Sequence, residues 1–263
     1  MSAAPQREPA KSSFVAGQVH GLEHTLKLSI LMPVYNERAS VANAVKQALD
    51  VRYPCEIELV VVDDGSRDGT AEVLSGLDDR RLKVFSHARN RGKGAAIRTA
   101  AEQASGDYMV ILDADLEYDP QDIPRLLEPV LDGRATVVYG SRSFGSHSAY
   151  SFWYVMGNKG VTTLANMIYN SYLSDLETCF KLMPLSVFRS LKIRSAGFGM
   201  EAEITAKLLR QRVRPYEVPI SYRARTREEG KKITWRDGVE AVWILARERV
   251  RRDGVAGPTP RRH

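Results

Sequence analysis

The chain predicts an α/β fold: one domain with a mostly parallel sheet flanked by helices. Three observations predict it. Short apolar runs of strand length recur through the first 142 residues, segments with helical spacing separate them, and a polar cluster closes nearly every run. Near-continuous apolar runs mark strands buried on both faces, as a parallel sheet covered by helices requires.

KLSILMPVY (27–35) is the first run, and VANAVKQAL (41–49) has helical spacing. EIELVVVDDG (56–65) is the second strand, closing on two aspartates and a glycine, and LKVFSH (82–87) is the third. A helix is expected from about Gly92 to Ala104, then a strand at DYMVIL (107–112), a helix at DIPRLLEPVL (122–131) and a strand at ATVVYGSR (135–142). The second half is less regular. FWYVMGNKGVTTLANMIYNSYL (152–173) is rich in aromatics and broken by Gly157 and Gly160. GMEAEITAKLLRQR (199–212) sets Ile204, Leu208 and Leu209 on one helical face, and RPYEVPISY (214–222) reads as a strand with an edge-type proline. DGVEAVWILARERVRR (237–252) reads as a final helix with a basic end. This half is expected to fold against the C-terminal edge of the sheet. Residues 1–25 lack periodicity and read as a flexible arm, 26–235 as the folded domain, and 236–263 as an amphipathic basic helix and tail.

At 263 residues, 43% hydrophobic and 27% charged, the chain can bury one sizeable core as a soluble globular protein. Cys55 and Cys179 are far apart and lack metal-ligand spacing, so no disulfide framework is expected and a reducing, cytoplasmic compartment is. The first 25 residues lack the apolar core of a signal peptide, and no stretch approaches the ~20 apolar residues that cross a bilayer. A formal net charge of +6, with much of the surplus base beyond Arg210, points to an anionic partner. Nucleic acid fits that charge but not the acidic strand ends, which would repel phosphate without a metal.

Ligands of open α/β sheets bind at the carboxyl ends of the strands. There the sequence places Tyr35-Asn36-Glu37, Asp63-Asp64-Gly65, Asp113-Ala114-Asp115 and Gly140-Ser141-Arg142, one cluster after each of four strands. Asp113, Asp115 and Glu117 repel one another unless a cation relieves them, and hard oxygens at this spacing suit Mg²⁺ or Mn²⁺. Asp119 before Pro120 reads instead as a helix cap. In NRGKGAAIR (90–98), Lys93 stands between glycines at a helix start, a phosphate-facing turn without Walker A spacing.

PVYNE (33–37), VVDDGSRDGT (61–70), NRGKGAAIR (90–98), DADLEYDPQDIP (113–124) and YGSR (139–142) stand in the order seen in family 2 glycosyltransferases of the GT-A fold. Over residues 27–233 the chain resembles, more narrowly, the dolichyl- and polyprenyl-phosphate mannosyl- or glucosyltransferases. The resemblance implies a metal-dependent, inverting transfer of a hexose from a nucleotide sugar, GDP-mannose or UDP-glucose, to a polyprenyl phosphate. It implies that Pro33, Tyr35, Glu37 and Asp64 hold the nucleoside and that Asp113 and Asp115 form the metal-binding DxD, with Ala114 beside the donor. Glu117 stands where many mannosyltransferases of this group carry glutamine. Arg142 would meet the acceptor phosphate, and Arg225 (or Arg227) and Lys232 would close on the donor diphosphate.

An ionised phosphate acceptor needs steering rather than a base, whereas a hydroxyl acceptor, soluble or on a glycan, needs a carboxylate. Asp175, Glu177, Glu201 and Glu203 are the base candidates for that rival reading. A non-catalytic nucleotide-sugar-binding protein would carry a damaged DxD or lack the late basic loop, and both are intact. A lipid acceptor places the protein at the cytoplasmic face of a membrane. Val239, Val242, Trp243, Ala246 and Val250 share one helical side, Arg247, Arg249, Arg251 and Arg252 supply base, and Trp153, Tyr154, Met156 and Met167 are suited to headgroup depth.

Overall fold

The computed structural model describes residues 25–143, 152–224 and 235–251. The expected arm over 1–24, the basic loop with Arg225, Arg227 and Lys232, Arg252, and the side chains of Trp153 and Tyr154 lie outside the described residues. The first half alternates as its periodicity dictates: β1 (Lys27–Val34), α1 (Val41–Asp50), β2 (Glu56–Asp63), α2 (Thr70–Ser75), β3 (Leu82–Ser86), α3 (Lys93–Gln103), β4 (Tyr108–Ile111), α4 (Ile123–Leu131) and β5 (Val138–Ser141). Then come α5 (Phe152–Tyr169), β6 (Lys181–Pro184), α6 (Leu185–Leu191), α7 (Met200–Arg210), β7 (Tyr216–Pro219) and α8 (Trp235–Val250).

The seven strands lie in the order β3-β2-β1-β4-β6-β5-β7. Strands β1, β2, β3 and β4 pair in parallel, and the register Val34↔Asp63 brings the ends of β1 and β2 level. Leu28, Ile30, Leu31 and Met32 of β1 and Leu59 to Val62 of β2 have no exposed surface, which explains their unbroken hydrophobicity. Helix α1 covers them with Val41, Ala44, Val45, Ala48 and Leu49, a single stripe at helical spacing.

β6 changes the topology. It runs antiparallel to both β4 and β5, so β5 is again parallel to β4, and β7 pairs in parallel with β5. The carboxyl ends of β1, β2, β4, β5 and β7 therefore share one edge of the sheet, and the beginning of β6 lies there too. Residues 174–180, which lead into β6, are delivered to the same edge by this reversal. The second half thus supplies two strands to the sheet, β7 within the strand expected over 214–222 and β6, which the sequence did not lead us to expect.

Two further expectations are corrected. Gly157 and Gly160 do not break α5: a Cβ added at either would meet nothing within 4 Å, so both sit on its open side at the modest helical cost of glycine. Helix α7 is buried from Met200 to Leu209 on every side, because α6 and α8 also pack on it. A second core of Val161, Ala165, Leu176, Ala202, Ala206, Ala241, Ile244 and Leu245 joins α5, α7 and α8. No helix among the described residues is long and apolar enough to cross a membrane.

Candidate active site

A cleft of about 360 Å³ opens at the shared strand edge. Its walls bring together Pro33, Tyr35, Glu37, Asp64, Lys93, Asp113, Ala114, Asp115, Glu117, Arg142 and Glu177. Of the site residues expected from sequence and described here, Asp175 and the base candidate Glu203 are missing from the lining.

The wall formed after β1 and β2 is two loops zipped together. Asn36 turns the chain with φ at 53°, its amide donating to Ser66 Oγ (2.8 Å) and its Oδ1 accepting from the Arg67 amide (2.9 Å). The Glu37 amide donates to Thr70 Oγ1 (3.0 Å), and Asp68 accepts from the amides of Arg38 and Thr70. Asp64, 2% exposed, is largely committed to the protein. Its Oδ1 meets His87 Nδ1 (2.6 Å) and the Arg91 amide (2.9 Å), and its Oδ2 accepts from the Gly92 amide (2.7 Å). Three of the roughly four lone-pair directions of a carboxylate are used, so its main visible work is to hold the 87–92 loop.

The turn at Gly92–Gly94 faces carbonyl rather than phosphate. The amides of Gly94 and Ala95 donate to Ala196 O at 2.6 and 3.3 Å, and a Cβ at Gly94 would lie 2.3 Å from Ser195 O. The strap 195–199 thus occupies the α3 N-terminus, and the expectation of a phosphate cradle is corrected there. Lys93 reaches the cleft by its side chain, 2.8 Å from both Asp113 Oδ2 and Glu201 Oε1. Burial opposes its charge, but the two carboxylates outweigh burial and hold its pKa well above the ordinary lysine value.

After β4 the chain turns at Leu116, φ 63°, so that Asp115 Oδ1 accepts from the Glu117 amide (3.1 Å). Glu117 Oε2 accepts from Tyr222 Oη, and the Arg223 amide donates to Glu117 O (2.8 Å). The three carboxylates therefore do not converge as the sequence led us to expect; among the described residues no three acidic, His or Cys side chains could hold a metal ion together. Asp119 behaves as expected, accepting from the Gln121 amide at the start of a single 3-10 turn.

Across the cleft, Arg142 forks onto Asp175, with Nε 2.6 Å from Oδ2 and Nη2 2.7 Å from Oδ1. Asn158 of α5 donates to Asp175 Oδ1 as well (2.9 Å). Desolvation would raise the Asp175 pKa, yet Arg142 holds it below the ordinary carboxylate value. The guanidinium lies 5.0 Å from the Tyr222 ring and 6.0 Å from that of Tyr118, fixed between two aromatic walls. Among the described residues Nη1 has no hydrogen-bond acceptor, and Arg142 lines the cleft.

Deeper in, Glu177 is pushed up to about 7 by burial and then by the neighbouring Glu201. Lys181, fully buried, donates to Leu176 O and Thr178 O at 2.8 Å each and so ties down the loop that carries Asp175 and Glu177. Glu203, another base candidate, caps residues 194–195 and pairs with Lys207 at 2.6 Å, away from the cleft. Tyr118, Cys179, Gly197, Phe198 and Tyr222 also line the cleft and were not singled out from sequence; their placement depends on β6, the 195–199 strap and the Tyr118↔Tyr222 bridge, none of which has a local signature.

Residues 29–192 match the family described as Glycosyl transferase family 2. The chain belongs to that family. The glycosyltransferase is 28% identical over 211 residues to the dolichol-phosphate mannosyltransferase of Pyrococcus furiosus, covering 78% of this chain and 59% of that protein. It is 40% identical over 131 residues to an undecaprenyl-phosphate 4-deoxy-4-formamido-L-arabinose transferase of Pseudomonas savastanoi pv. phaseolicola, covering 48% of this chain and 39% of that one. It thus spans well under two thirds of the length of either relative. In three dimensions it superposes on glucosyl-3-phosphoglycerate synthase from Mycobacterium tuberculosis, solved with Mn²⁺, UDP and glucosyl-3-phosphoglycerate, with a TM-score of 0.66 at 20% identity, over 87% of this chain and 82% of that one. Mannosyl-3-phosphoglycerate synthase from Rubrobacter xylanophilus superposes with a TM-score of 0.61 at 22% identity, over 84% and 73%. The fold is GT-A, as the ordered motifs implied.

The donor set of the glycosyltransferase suits a hard divalent ion. Asp113 and Asp115 offer carboxylate oxygens at the cleft mouth, and the Lys93 ammonium on Asp113 shows that this spot already holds positive charge. Two carboxylates leave the remaining coordination to phosphate and water, the arrangement Mg²⁺ and Mn²⁺ favour.

Proposed function

We propose that the protein transfers a hexose, mannose or glucose, from GDP-mannose or UDP-glucose to a polyprenyl phosphate, with inversion at the anomeric carbon. One observation carries this reading: Arg142, braced by Asp175, lines the same cleft as Asp113 and Asp115. Such a site presents a fixed cation to an acceptor phosphate on one side and carboxylates for a divalent ion on the other. The names of the two relatives, each pairing a polyprenyl phosphate with a sugar transfer, support the same acceptor class.

A bound Mg²⁺ or Mn²⁺ would neutralise charge growing on the leaving nucleoside diphosphate. Asp113 and Asp115 would hold that ion, while Pro33, Tyr35, Glu37 and Asp64 flank the nucleoside. Arg225 and Lys232 would complete the diphosphate pocket. Lys93 balances Asp113 and Glu201 in the free protein and is available to the diphosphate once a cation takes its place. Arg142 orients the acceptor phosphate, which is ionised at neutral pH and needs no base. A hydroxyl acceptor would need one, and Asp175, beside Arg142, has both oxygens engaged.

The protein would work as a peripheral protein at the cytoplasmic face of a membrane. Val239, Val242, Trp243 and Val250 stand exposed on α8, and Phe152 and Met156 on the neighbouring α5. The opposite face of α8, Ala241, Ile244 and Leu245, is the one buried in the protein. The test is transfer from GDP-mannose and UDP-glucose, each with and without polyprenyl phosphate and Mn²⁺. Product on the lipid with one donor and Mn²⁺ is expected; transfer only to soluble hydroxyl acceptors would overturn the reading.

A further inference from the structure

Glu117 follows the Asp113/Asp115 pair by two residues, yet its carboxylate is bonded elsewhere. Its Oε2 accepts from Tyr222 Oη, and the ring of Tyr222 lies 5.0 Å from the Arg142 guanidinium. A continuous chain of contacts thus runs from Glu117 through Tyr222 to Arg142, and on to Asp175.

The backbone stitches residues 221–223 to 117–122. Tyr118 and Tyr222 form an antiparallel bridge, the Arg223 amide donates to Glu117 O (2.8 Å), and the Ser221 amide donates to Asp122 Oδ2 (2.6 Å). The rings are packed as well. Tyr118 meets Tyr222 edge-on at 5.1 Å and Phe180 at 5.0 Å, and its hydroxyl accepts from the Cys179 amide (3.2 Å). Tyr222 is buried in this group and has little room to leave the guanidinium.

The physics of the chain is cooperative. A cation near an aromatic ring is attracted by the ring's quadrupole, most strongly where water is excluded. A phenol that donates to a carboxylate gains electron density, as linked hydrogen bonds polarise one another, so Glu117 strengthens the attraction of Tyr222 for Arg142. Asp175 fixes Nε and Nη2 of Arg142, and the Tyr222 ring restrains the guanidinium from a second direction. We infer that Tyr222 is a positioning residue of the acceptor side, and that Glu117 acts through it on Arg142 rather than on the metal ion. This inference rests on the reading of Arg142 as the seat of the acceptor phosphate.

The test separates the two. One calorimetric titration measures a short-chain isoprenyl phosphate, and another measures Mn²⁺ with whichever of UDP and GDP the parent binds. The proteins are the parent, Arg142→Ala, Tyr222→Leu, Tyr222→Phe, Glu117→Gln and the double variant Glu117→Gln/Tyr222→Phe. Tyr222→Leu, which removes the ring, should weaken isoprenyl phosphate about tenfold or more. Tyr222→Phe and Glu117→Gln keep the ring but lose its polarisation, and each should cost about threefold. The double variant should lose no more than either, since both changes cut the same link. Mn²⁺ affinity should stay within about twofold of the parent in all four Tyr222 and Glu117 variants. Weaker Mn²⁺ binding by Glu117→Gln with isoprenyl phosphate unaffected would make Glu117 a metal ligand and overturn the inference. Losses that add in the double variant, or undiminished isoprenyl phosphate binding by Tyr222→Leu, would overturn it too. Failure of the parent to bind isoprenyl phosphate, or equal binding by Arg142→Ala, would instead overturn the acceptor reading. Tyr222→Phe and Glu117→Gln nearly keep side-chain size, so they carry the test if Tyr222→Leu fails to fold.

Discussion

Arg142 and Asp175 are joined by two side-chain hydrogen bonds of 2.6 and 2.7 Å, and Asp175 has only 1% of its side chain exposed. A carboxylate so placed cannot easily serve as a base, because its oxygens are spent on the arginine and on Asn158. Asp175→Asn should therefore act through Arg142. We expect a rise in acceptor KM of about tenfold or more, with donor KM nearly unchanged, and Arg142→Ala should show the same split more strongly. A fall in kcat alone, with both KM values intact, would mark Asp175 as a base after all.

Asp113→Asn and Asp115→Asn should each lower transfer by on the order of 10²–10³-fold, the usual loss when transition-state charge stabilisation is removed. Thermal stability should change little, because Lys93 keeps Glu201 as a partner in the first case. Mn²⁺ together with a nucleoside diphosphate should raise the melting temperature of the parent protein but not of either variant. Full transfer by the parent in excess chelator would remove the metal from the mechanism.

Glu58 lies in β2, away from the cleft, and makes a prediction about acid. Its burial favours the neutral form, but Lys83, the Ser105 amide and Ser29 together lower its pKa to about 2. A carboxyl with a depressed folded-state pKa stabilises fully above its unfolded value, roughly 4.3, and that stability is lost as pH falls from there toward the folded value. Melting curves from pH 6 to pH 2 should show the parent losing stability below about 4.5. Glu58→Gln should be less stable at pH 6 and fall less steeply over the same window. Parallel curves would refute the assignment.

Helix α8 should bring the protein to lipid. Trp243 and Val239 are each 59% exposed, and the Arg247 guanidinium lies 4.6 Å from the Trp243 ring. Co-flotation with anionic liposomes is expected at low salt, with release at high salt, since each arginine near such a surface contributes about 1 kcal/mol. Replacing Val239 and Trp243 with serine should reduce flotation about tenfold or more, by removing apolar burial. No flotation with polyprenyl phosphate in the vesicles would point to a soluble acceptor.

The strand-end clusters were legible because period and polarity coincide there. A buried strand cannot end on Asp63-Asp64 or Asp113-Ala114-Asp115 without a use for the charge: Asp64, Asp113, Ala114 and Asp115 meet in one cleft, and Asp63 accepts from the Ser66 amide behind it. The other wall was harder to read. β6 spans only Lys181–Pro184 and opens on a lysine, so it lacks a strand signature, yet its reversed direction is what delivers Glu177 and Cys179. The strap at 195–199 is likewise silent locally, because it is fixed by the distant contact of Ala196 with Gly94. The glycines flanking Lys93 drew attention to this turn, and in the structure they serve the close approach of that strap.

The family match ends at residue 192, but Gly197, Phe198, Glu201 and Tyr222 of the cleft wall come from beyond it. Gly199 leans on α8 as well, since a Cβ there would lie 2.4 Å from Ile244 Cδ1. Hybrids built with a relative by crossing over at the shared boundary would pair the cleft residues up to Cys179 from one parent with those from Gly197 onward from the other. Crossing over within the loop after Gln103 would instead take Lys93 from one parent and its partners Asp113 and Glu201 from the other, so no single crossover leaves every contact of the cleft within one parent.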